Sequence, residues 1–264
     1  MQPLGVLDGR VAVVAGVGPG IGRATAAALA EAGADLVLAA RRPEPLRALA
    51  HEIAETTGRY VLAVPTDIAA PDAVHAMIDA GVAELGRLDI VVNVATYCPR
   101  GVVEHLAREE FRRAFEVNVL GVLEVSRAAL PHLRKSDCGS IVQISSEAPR
   151  LKAPELAAYS ATKAAMEIAS ATMAREVGPD GVRVNVVSAG STDNEKLAAW
   201  IETLAQEQGR SAEAVRREMA EDAALRRITT AEDVAATVLF LSSPAARGIT
   251  GTVTRVTSGL LLEP

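Results

Sequence analysis

The sequence predicts an α/β fold: a single domain built on a doubly wound parallel sheet of about seven strands, with helices on both faces. Strand-like and helix-like segments alternate along the 264 residues, and no linker or close repeat interrupts them. The strand-like segments are short, uninterrupted apolar runs, which are typical of parallel strands that are buried on both faces. We therefore expect residues 1–264 to form one domain.

The predicted elements begin with a strand over 11–15, a helix over 20–32 and a strand over 34–40. The remaining predicted strands cover 60–64, 89–94, 140–145, 182–187 and 252–256. The remaining predicted helices cover 45–55, 71–85, 109–115, 118–133, 156–177 and 231–241. A charged segment over 194–224 is also predicted to be helical, because Leu197, Ile201 and Leu204 recur at helical spacing.

Charge and cysteine content exclude several classes of protein. A formal net charge of −6 argues against nonspecific nucleic-acid binding, which needs a basic surface. Cys98 and Cys138 lack C-x-x-C spacing and fit reduced cytoplasmic thiols better than a disulfide framework or a zinc site. The first ten residues lack the layout of a signal peptide, and no apolar run approaches the ~18 residues of a membrane span. We expect a cytoplasmic protein without a metal, a nucleic-acid partner or a membrane segment.

A glycine-rich turn joins the first predicted strand to the first predicted helix, in the context of a Rossmann-like unit. Residues 16–22 fit G-x-x-x-G-x-G through Gly16, Gly20 and Gly22, whereas Ile21 occupies the third glycine of G-x-G-x-x-G. Glycines let the backbone approach a pyrophosphate, and a helix N-terminus offers N–H groups to it. The turn by itself is compatible with a simple tight turn, but the flanking strand and helix favour a dinucleotide site.

The end of the second predicted strand indicates which dinucleotide binds. NAD sites place an acidic residue there, about 20 residues after the glycines, to bind the ribose 2′-hydroxyl. This chain has Arg41 and Arg42 at that point, and Asp35 begins the strand at the opposite edge of the sheet. Two guanidiniums favour a 2′-phosphate and therefore NADP. The alternatives are an ordinary solvated turn, and NAD as the cofactor.

Tyr159 and Lys163 lie four residues apart on the predicted helix over 156–177. That spacing places a phenol and an ammonium on one helix face. A neighbouring cation favours the phenolate, so we expect the pKa of Tyr159 to fall below its ordinary value of about 10. Such a phenol can exchange a proton with a substrate oxygen near neutral pH. The alternative is a surface pair without a role.

With these motifs in place, the chain resembles the short-chain dehydrogenase/reductase family across essentially its whole length. The matching positions are Gly16, Gly20, Gly22, Asp67, Asn93, Asn118, Ser146, Tyr159, Lys163 and residues 185–190. The resemblance implies a catalytic set of Asn118, Ser146, Tyr159 and Lys163. In that set Ser146 donates to the substrate oxygen, Tyr159 transfers the proton, and Lys163 lowers the tyrosine pKa and holds the nicotinamide ribose. Asn118 interrupts its helix and holds a water that links Lys163 to solvent.

The resemblance also implies a set of cofactor contacts. Asp67, just past the third predicted strand, is placed to meet the adenine amino group. The expected cofactor-binding residues are Gly16, Gly18, Gly20, Ile21, Gly22, Arg41, Arg42, Asp67, Ile68, Asn93, Ala95, Tyr159, Lys163, Gly190 and Thr192.

Several positions depart from the family pattern and bear on how the cofactor is held. They are Ala15, Val94, Thr96, Ala189 and Thr257. None removes a proton-transfer group, so a working enzyme is favoured over a dinucleotide-binding regulatory protein with little turnover.

The family pattern also indicates where a substrate binds. The substrate pocket is expected between the loops 96–100 and 147–156 and a helical lid over 194–224. Glu147, beside Ser146, either contacts a polar substrate or, as we expect, turns to solvent at the rim.

Together these features predict an NADP(H)-dependent oxidoreductase that interconverts a carbonyl and a secondary alcohol. NAD(H) is the less favoured cofactor. The partner is a small-molecule substrate, and the resemblance implies a homotetramer or dimer.

Overall fold

The computed structural model describes residues 5–262, so the two ends of the predicted 1–264 domain lie outside the described residues. A seven-stranded sheet with the order β3-β2-β1-β4-β5-β6-β7 forms its centre, and neighbouring strands run parallel. This confirms the doubly wound, single-domain prediction. The strands are β1 (Val11–Ala15), β2 (Asp35–Ala40), β3 (Val61–Pro65), β4 (Ile90–Asn93), β5 (Ser140–Ser146), β6 (Arg183–Ala189) and β7 (Val253–Val256).

Helices cover both faces of the sheet. They are α1 (Ile21–Glu31), α2 (Pro43–Thr57), α3 (Pro71–Leu85), α4 (Arg108–Phe115), α5 (Val122–Leu133), α6 (Ala148–Leu151), α7 (Ala157–Val177), α8 (Glu195–Gln208), α9 (Ala212–Glu221) and α10 (Ala231–Ser242). A π-helical segment, Glu116–Gly121, precedes α5, and 3-10 turns cover Gly178–Asp180 and Pro244–Ala246. None of the helices within residues 5–262 combines the length and apolar character that crossing a bilayer requires.

The strands divide their side chains between two apolar layers. Ala12 and Val14 of β1 pack with α1, α2 and α10, whereas Val11 and Val13 pack with α3, α5 and α7. Successive side chains of a strand point to opposite faces, so a strand covered on both sides must be apolar at every position. This is the physical reason for the unbroken apolar runs in the sequence.

The chain reverses its winding direction at β1. This strand pairs with β2 on one side and with β4 on the other. The loops that leave β1 and β4 therefore diverge and open a crevice at the carboxyl edge of the sheet, where ligands of such folds bind.

The two helical segments next to this crevice differ from the sequence prediction. The predicted helix over 118–133 begins as the π-helical Glu116–Gly121, where a Cβ on Gly121 would lie 2.6 Å from the carbonyl oxygen of Ile68. The segment over 194–224, predicted to be helical, consists of two helices, because Gly209 ends α8 in a left-handed conformation and Ser211 caps α9. Short α6 was not predicted.

Candidate active site

Two adjoining cavities occupy the crevice. The first, of about 500 Å³, is lined by Ser146, Tyr159 and Lys163. The second, of about 720 Å³, extends over the end of β2 and contains Arg41 and Arg42. The two cavities share lining residues at the glycine turn and in the loop after β4, which are Gly16, Gly18, Pro19 and Thr96. A single extended ligand can therefore span both.

The glycine turn lies against the start of the loop after β4. Gly16 has φ 99°, and a Cβ there would lie 2.1 Å from the backbone nitrogen of Ala95, so this position requires glycine. No side chain caps α1 at Gly20. Backbone N–H groups at this helix start therefore remain available to an anion in the crevice.

Lys163 crosses from α7 to the sheet beneath Tyr159. Its Nζ donates to the carbonyl oxygen of Ile144 at 2.7 Å and lies 5.7 Å from the centre of the Tyr159 ring. The side chain is almost fully buried, and burial lowers its pKa to about 8. Helical spacing thus places the two side chains together, as predicted.

The pKa of Tyr159 moves in the direction opposite to our expectation. Burial raises it to about 12, although hydrogen bonds with the Ser146 and Thr96 hydroxyls favour the phenolate. The prediction of a lowered pKa was wrong because the protein encloses the phenol and disfavours its anion. The same desolvation lowers the pKa of Lys163, so its ammonium loses the proton more readily than an exposed lysine does.

Ser146 is held at the end of β5 by the first turn of α6. Its Oγ accepts a hydrogen bond from the Ala148 N–H at 3.2 Å. The hydroxyl proton stays available to be donated to Tyr159 or to a substrate oxygen. The unpredicted helix α6 therefore orients a side chain that the sequence placed correctly.

Asn118 interrupts the helix as expected, within the π-helical segment. Its Oδ1 accepts from the Tyr97 N–H at 2.7 Å and from the Thr96 hydroxyl at 3.3 Å. Its Nδ2 donates to the Tyr97 carbonyl at 2.7 Å and to the Thr162 hydroxyl at 2.9 Å. The side chain thus ties the loop after β4 to α7, beside Lys163, and its polar atoms are engaged by protein groups.

Four arginines give the second cavity a positive lining. Arg41 and Arg42 line it with Arg23 and Arg113, and Asp67 is the only acid among the described residues that do so. Arg23 pairs with Glu52, and Arg113 Cζ lies over the ring of Tyr97, 5.4 Å from its centre. Neither arginine was predicted from the sequence. The position of Arg23 directly after the glycine turn could have indicated its place in the cavity. Arg113 lies on α4, far along the chain from the glycine turn, and no sequence pattern connects the two.

Most of the other predicted cofactor contacts line one of the two cavities, whereas Gly20 and Asn93 line neither. Ile21, Gly22, Gly190 and Thr192 line the first cavity, and Ile68 and Ala95 line the second. Asn93 lines neither cavity, because its amide is buried and faces the Val122 carbonyl at 3.4 Å and the Ser126 hydroxyl at 3.3 Å. Its side chain joins β4 to α5.

Glu147 corrects a further expectation, because it is buried and does not turn to solvent. Its Oε1 accepts from the Ser188 hydroxyl at 2.5 Å, and Arg255 Nε lies 3.6 Å from its Oε2. Arg150 Nη1 is 4.0 Å from Oε1, and the Glu147 N–H donates to the Ala189 carbonyl at 3.1 Å. The residue thereby joins the Ser146 strand end to the turn at the end of β6.

Asp89, Asp137 and Cys138 lie together at the opposite edge of the sheet, with ligand atoms within 4.8 Å of one another. Arg87 holds Asp89 at 2.7 Å, and Arg10 forms an ion pair with Asp137. These guanidiniums neutralise the carboxylates, and the arrangement is a structural ion-pair cluster.

A doubly wound sheet that sets a glycine turn beside a serine, a tyrosine and a lysine at one cavity defines an oxidoreductase of the dehydrogenase/reductase type. A family model described as Enoyl-(Acyl carrier protein) reductase matches residues 16–261. An uncharacterised oxidoreductase of Methylorubrum extorquens is 36% identical over 255 residues, covering 96% of this chain and 98% of the relative. The chain belongs to the short-chain dehydrogenase/reductase family.

Solved structures agree with this assignment. L-sorbose reductase from Gluconobacter frateurii, complexed with NADPH and L-sorbose, has a TM-score of 0.92 and 29% identity over 98% of both chains. NAD+-bound xylitol dehydrogenase has a TM-score of 0.89 and 26% identity, covering 96% of this chain and 99% of the other. The chain is thus an oxidoreductase acting on CH–OH and C=O groups, as the sequence predicted.

Proposed function

We propose that this protein is an NADP(H)-dependent ketoreductase that interconverts a carbonyl and a secondary alcohol. The observation that carries the proposal is the convergence of Ser146, Tyr159 and Lys163 on the cavity that continues into the glycine turn. Asn118 positions the loop and helix around them and is not itself in the cavity. The polar atoms of the Asn118 side chain already form hydrogen bonds with protein groups, so a water linked to Lys163 would have to bind the main chain near Asn118.

The residues of the crevice fit a nicotinamide dinucleotide. Gly16 leaves room where a Cβ would collide with the loop after β4, and α1 presents an uncapped N-terminus. Four guanidiniums and one carboxylate in the second cavity favour a 2′-phosphate over a free ribose hydroxyl pair. When bound, the reduced dinucleotide supplies the hydride. The NADPH in L-sorbose reductase supports the preference, and the NAD+ in xylitol dehydrogenase keeps NAD(H) as the alternative.

The protein's own part in the chemistry follows from its hydroxyl groups. A carbonyl oxygen placed between Ser146 and Tyr159 receives a hydrogen bond from the serine and a proton from the phenol. With a pKa of about 12 the phenol keeps its proton at neutral pH, so it is ready to act as the acid in carbonyl reduction. Lys163, by resemblance, holds the nicotinamide ribose and carries the nearby positive charge.

The lid, the assembly and the location complete the proposal. α8 and α9 act as the lid over the substrate, within the predicted 194–224 segment. By resemblance, the helix after Asn118 and the Tyr159 helix, α5 and α7, pack against their copies in a homotetramer or dimer. Apolar side chains at Phe115, Leu120 and Ile168 are exposed near or on these helices, which supports that assembly. The cytoplasm is the proposed location, because Cys98 and Cys138 fit reduced thiols better than a disulfide framework.

The test is to titrate the purified chain with NADPH and with NADH, and then to screen ketones and alcohols for turnover. Tighter binding of NADPH with reduction of a ketone is the expected result. Tighter binding of NADH would overturn the cofactor preference. Tight dinucleotide binding without turnover on any carbonyl or alcohol would favour the regulatory alternative.

A further inference from the structure

The first cavity is also lined by a guanidinium that lies over an indole ring. Arg100, in the loop after β4, places its Cζ 5.7 Å from the centre of the Trp200 ring on α8. Both side chains line the same cavity as Ser146 and Tyr159. A cation over an aromatic face at this distance is held by the ring's quadrupole. The pair thus connects the loop and the lid across the entrance to the reacting groups.

Arg100 differs from the neighbouring arginines in its partners. Arg150 pairs with Glu167, Arg216 with Asp193 and Arg227 with Asp233. Within residues 5–262, no carboxylate lies within ion-pair distance of Arg100, and its partner is the indole. A guanidinium that is held over a ring and is not in an ion pair has N–H groups left for a ligand, and its fork of donors matches a carboxylate or phosphate in a two-pronged hydrogen bond.

Glu195, the acid that also lines this cavity, lies toward the cofactor end. Asn194, the preceding residue, has its Cβ 3.7 Å from where a Cβ on Gly20 would stand, so the start of α8 covers the glycine turn. Trp200 is five residues further along α8, which is about 7.5 Å along a helix axis. The cavity therefore has an acid, Glu195, near the glycine turn and a cation, Arg100, farther from it, where a substrate would extend.

We propose that Arg100 binds a negatively charged group of the substrate, a carboxylate or a phosphate, while Trp200 holds the guanidinium plane. This inference rests on the proposed ketoreductase function and names its substrate class: small carbonyl compounds with an anionic group remote from the reacting carbon. The protein carries a net charge of −6 and repels anions at long range, so a local cation in the pocket is what such a substrate requires.

The experiment compares matched substrates in the full chain with NADPH. Each keto acid is assayed beside its methyl ester and, where the skeleton allows, the corresponding keto phosphate. Wild type is expected to prefer the charged compound, and the carboxylate and phosphate arms show which anion fits better. Arg100→Gln is expected to lower kcat/KM for the anionic substrate by about 10- to 100-fold and to leave the ester within about threefold. Arg100→Lys keeps the charge without the fork and is expected to recover part of the loss.

Arg108→Gln is the matched control, because Arg108 is exposed and does not line the cavity. It makes the same change in net charge and is expected to leave both substrates unaffected. An equal loss for acid and ester in Arg100→Gln would show that Arg100 only closes the lid, which contradicts the proposal. A panel in which esters are reduced as well as their acids also contradicts it, while confirming the ketoreductase.

Calorimetry keeps the inference testable if no compound is turned over. The NADPH-loaded protein is titrated with the same acids and esters, for wild type and Arg100→Gln. Binding of an acid that weakens about tenfold or more in the variant, with ester binding unchanged, supports the anion site even if the proposed reaction is wrong. Failure of every acid to bind better than its ester overturns it.

Discussion

Lys163 donates a hydrogen bond from Nζ to the carbonyl oxygen of Ile144, 2.7 Å away, and so fastens α7 to β5 directly beneath the tyrosine. The same ammonium is almost fully buried and titrates at about 8. This contact makes the charge of one side chain relevant both to proton transfer and to the stability of the fold.

The pH dependence of carbonyl reduction is the first consequence. From about pH 6 to about pH 7 both Lys163 and Tyr159 hold their protons, so kcat/KM for reduction is expected to be nearly constant. Above about pH 8 the ammonium is lost and kcat/KM falls, because the group that steadies a forming phenolate is no longer charged. Initial rates with NADPH across this range measure it. A profile that rises steadily from pH 8 to pH 10 would contradict the assignment.

The stability of the fold is expected to depend on pH through the same residue. The pKa of Lys163 is lowered from 10.5 to about 8, so between these values the unfolded chain binds more protons than the folded one. Stability contributed by this group therefore rises with pH over that window, and below it the buried charge is a constant cost. Urea unfolding from about pH 8 to about pH 9, where Tyr159 still keeps its proton in both states, should show the rise.

Lys163→Met should remove that rise, because methionine fills similar space without a titrating group. Lys135→Met, at an exposed lysine, should keep it. If the two variants show the same pH dependence, the buried ammonium is not its source.

Cofactor preference is expected to depend on Arg41 and Arg42. Replacing both by glutamine should raise the Kd for NADPH by about 10- to 100-fold and change the Kd for NADH by less than about threefold, because only NADPH carries the 2′-phosphate. The double replacement Arg47→Gln with Arg108→Gln, at two exposed arginines outside the cavity, controls for the same change in net charge. Fluorescence titration gives both constants. Equal weakening of both dinucleotides would mean that the two arginines do not recognise the phosphate.

Glu147 is expected to stabilise the turn at the end of β6. Glu147→Ala removes the acceptor of the Ser188 hydroxyl and a buried charge near Arg255, and should cost about 3–5 kcal/mol of unfolding free energy. Glu147→Gln keeps an acceptor for Ser188 and should cost less. Denaturant unfolding measures both, with Glu104→Ala as the exposed control. A loss in Glu147→Ala no greater than in the control would show that the buried contacts are energetically minor.

The sequence was informative wherever a local rule determines the outcome. Uninterrupted apolar runs predicted the sheet because strands covered on both faces need them, and spacing of four residues predicted the Tyr159–Lys163 neighbourhood because helix geometry requires it. The glycine turn was predictable for the same reason, since Gly16 must pass close to the loop after β4.

What the sequence could not provide are properties set by distant segments. The raised pKa of Tyr159 comes from the protein that encloses it, and the burial of Glu147 comes from Ser188 and Arg255, which are remote in sequence. Asn93 faces the core because α5 covers β4 at that point. The break between α8 and α9 was visible only as Gly209 and Ser211, residues that also occur within longer helices.

The most direct test of the account is the reduction of a ketone substrate by Tyr159→Phe with NADPH. Phenylalanine keeps the ring and removes the hydroxyl that transfers the proton. In this variant kcat is expected to fall by about a hundredfold or more, while the Kd for NADPH stays within about threefold of wild type. Turnover close to that of wild type, with the same cofactor affinity, would contradict the central claim that Tyr159 is the acid.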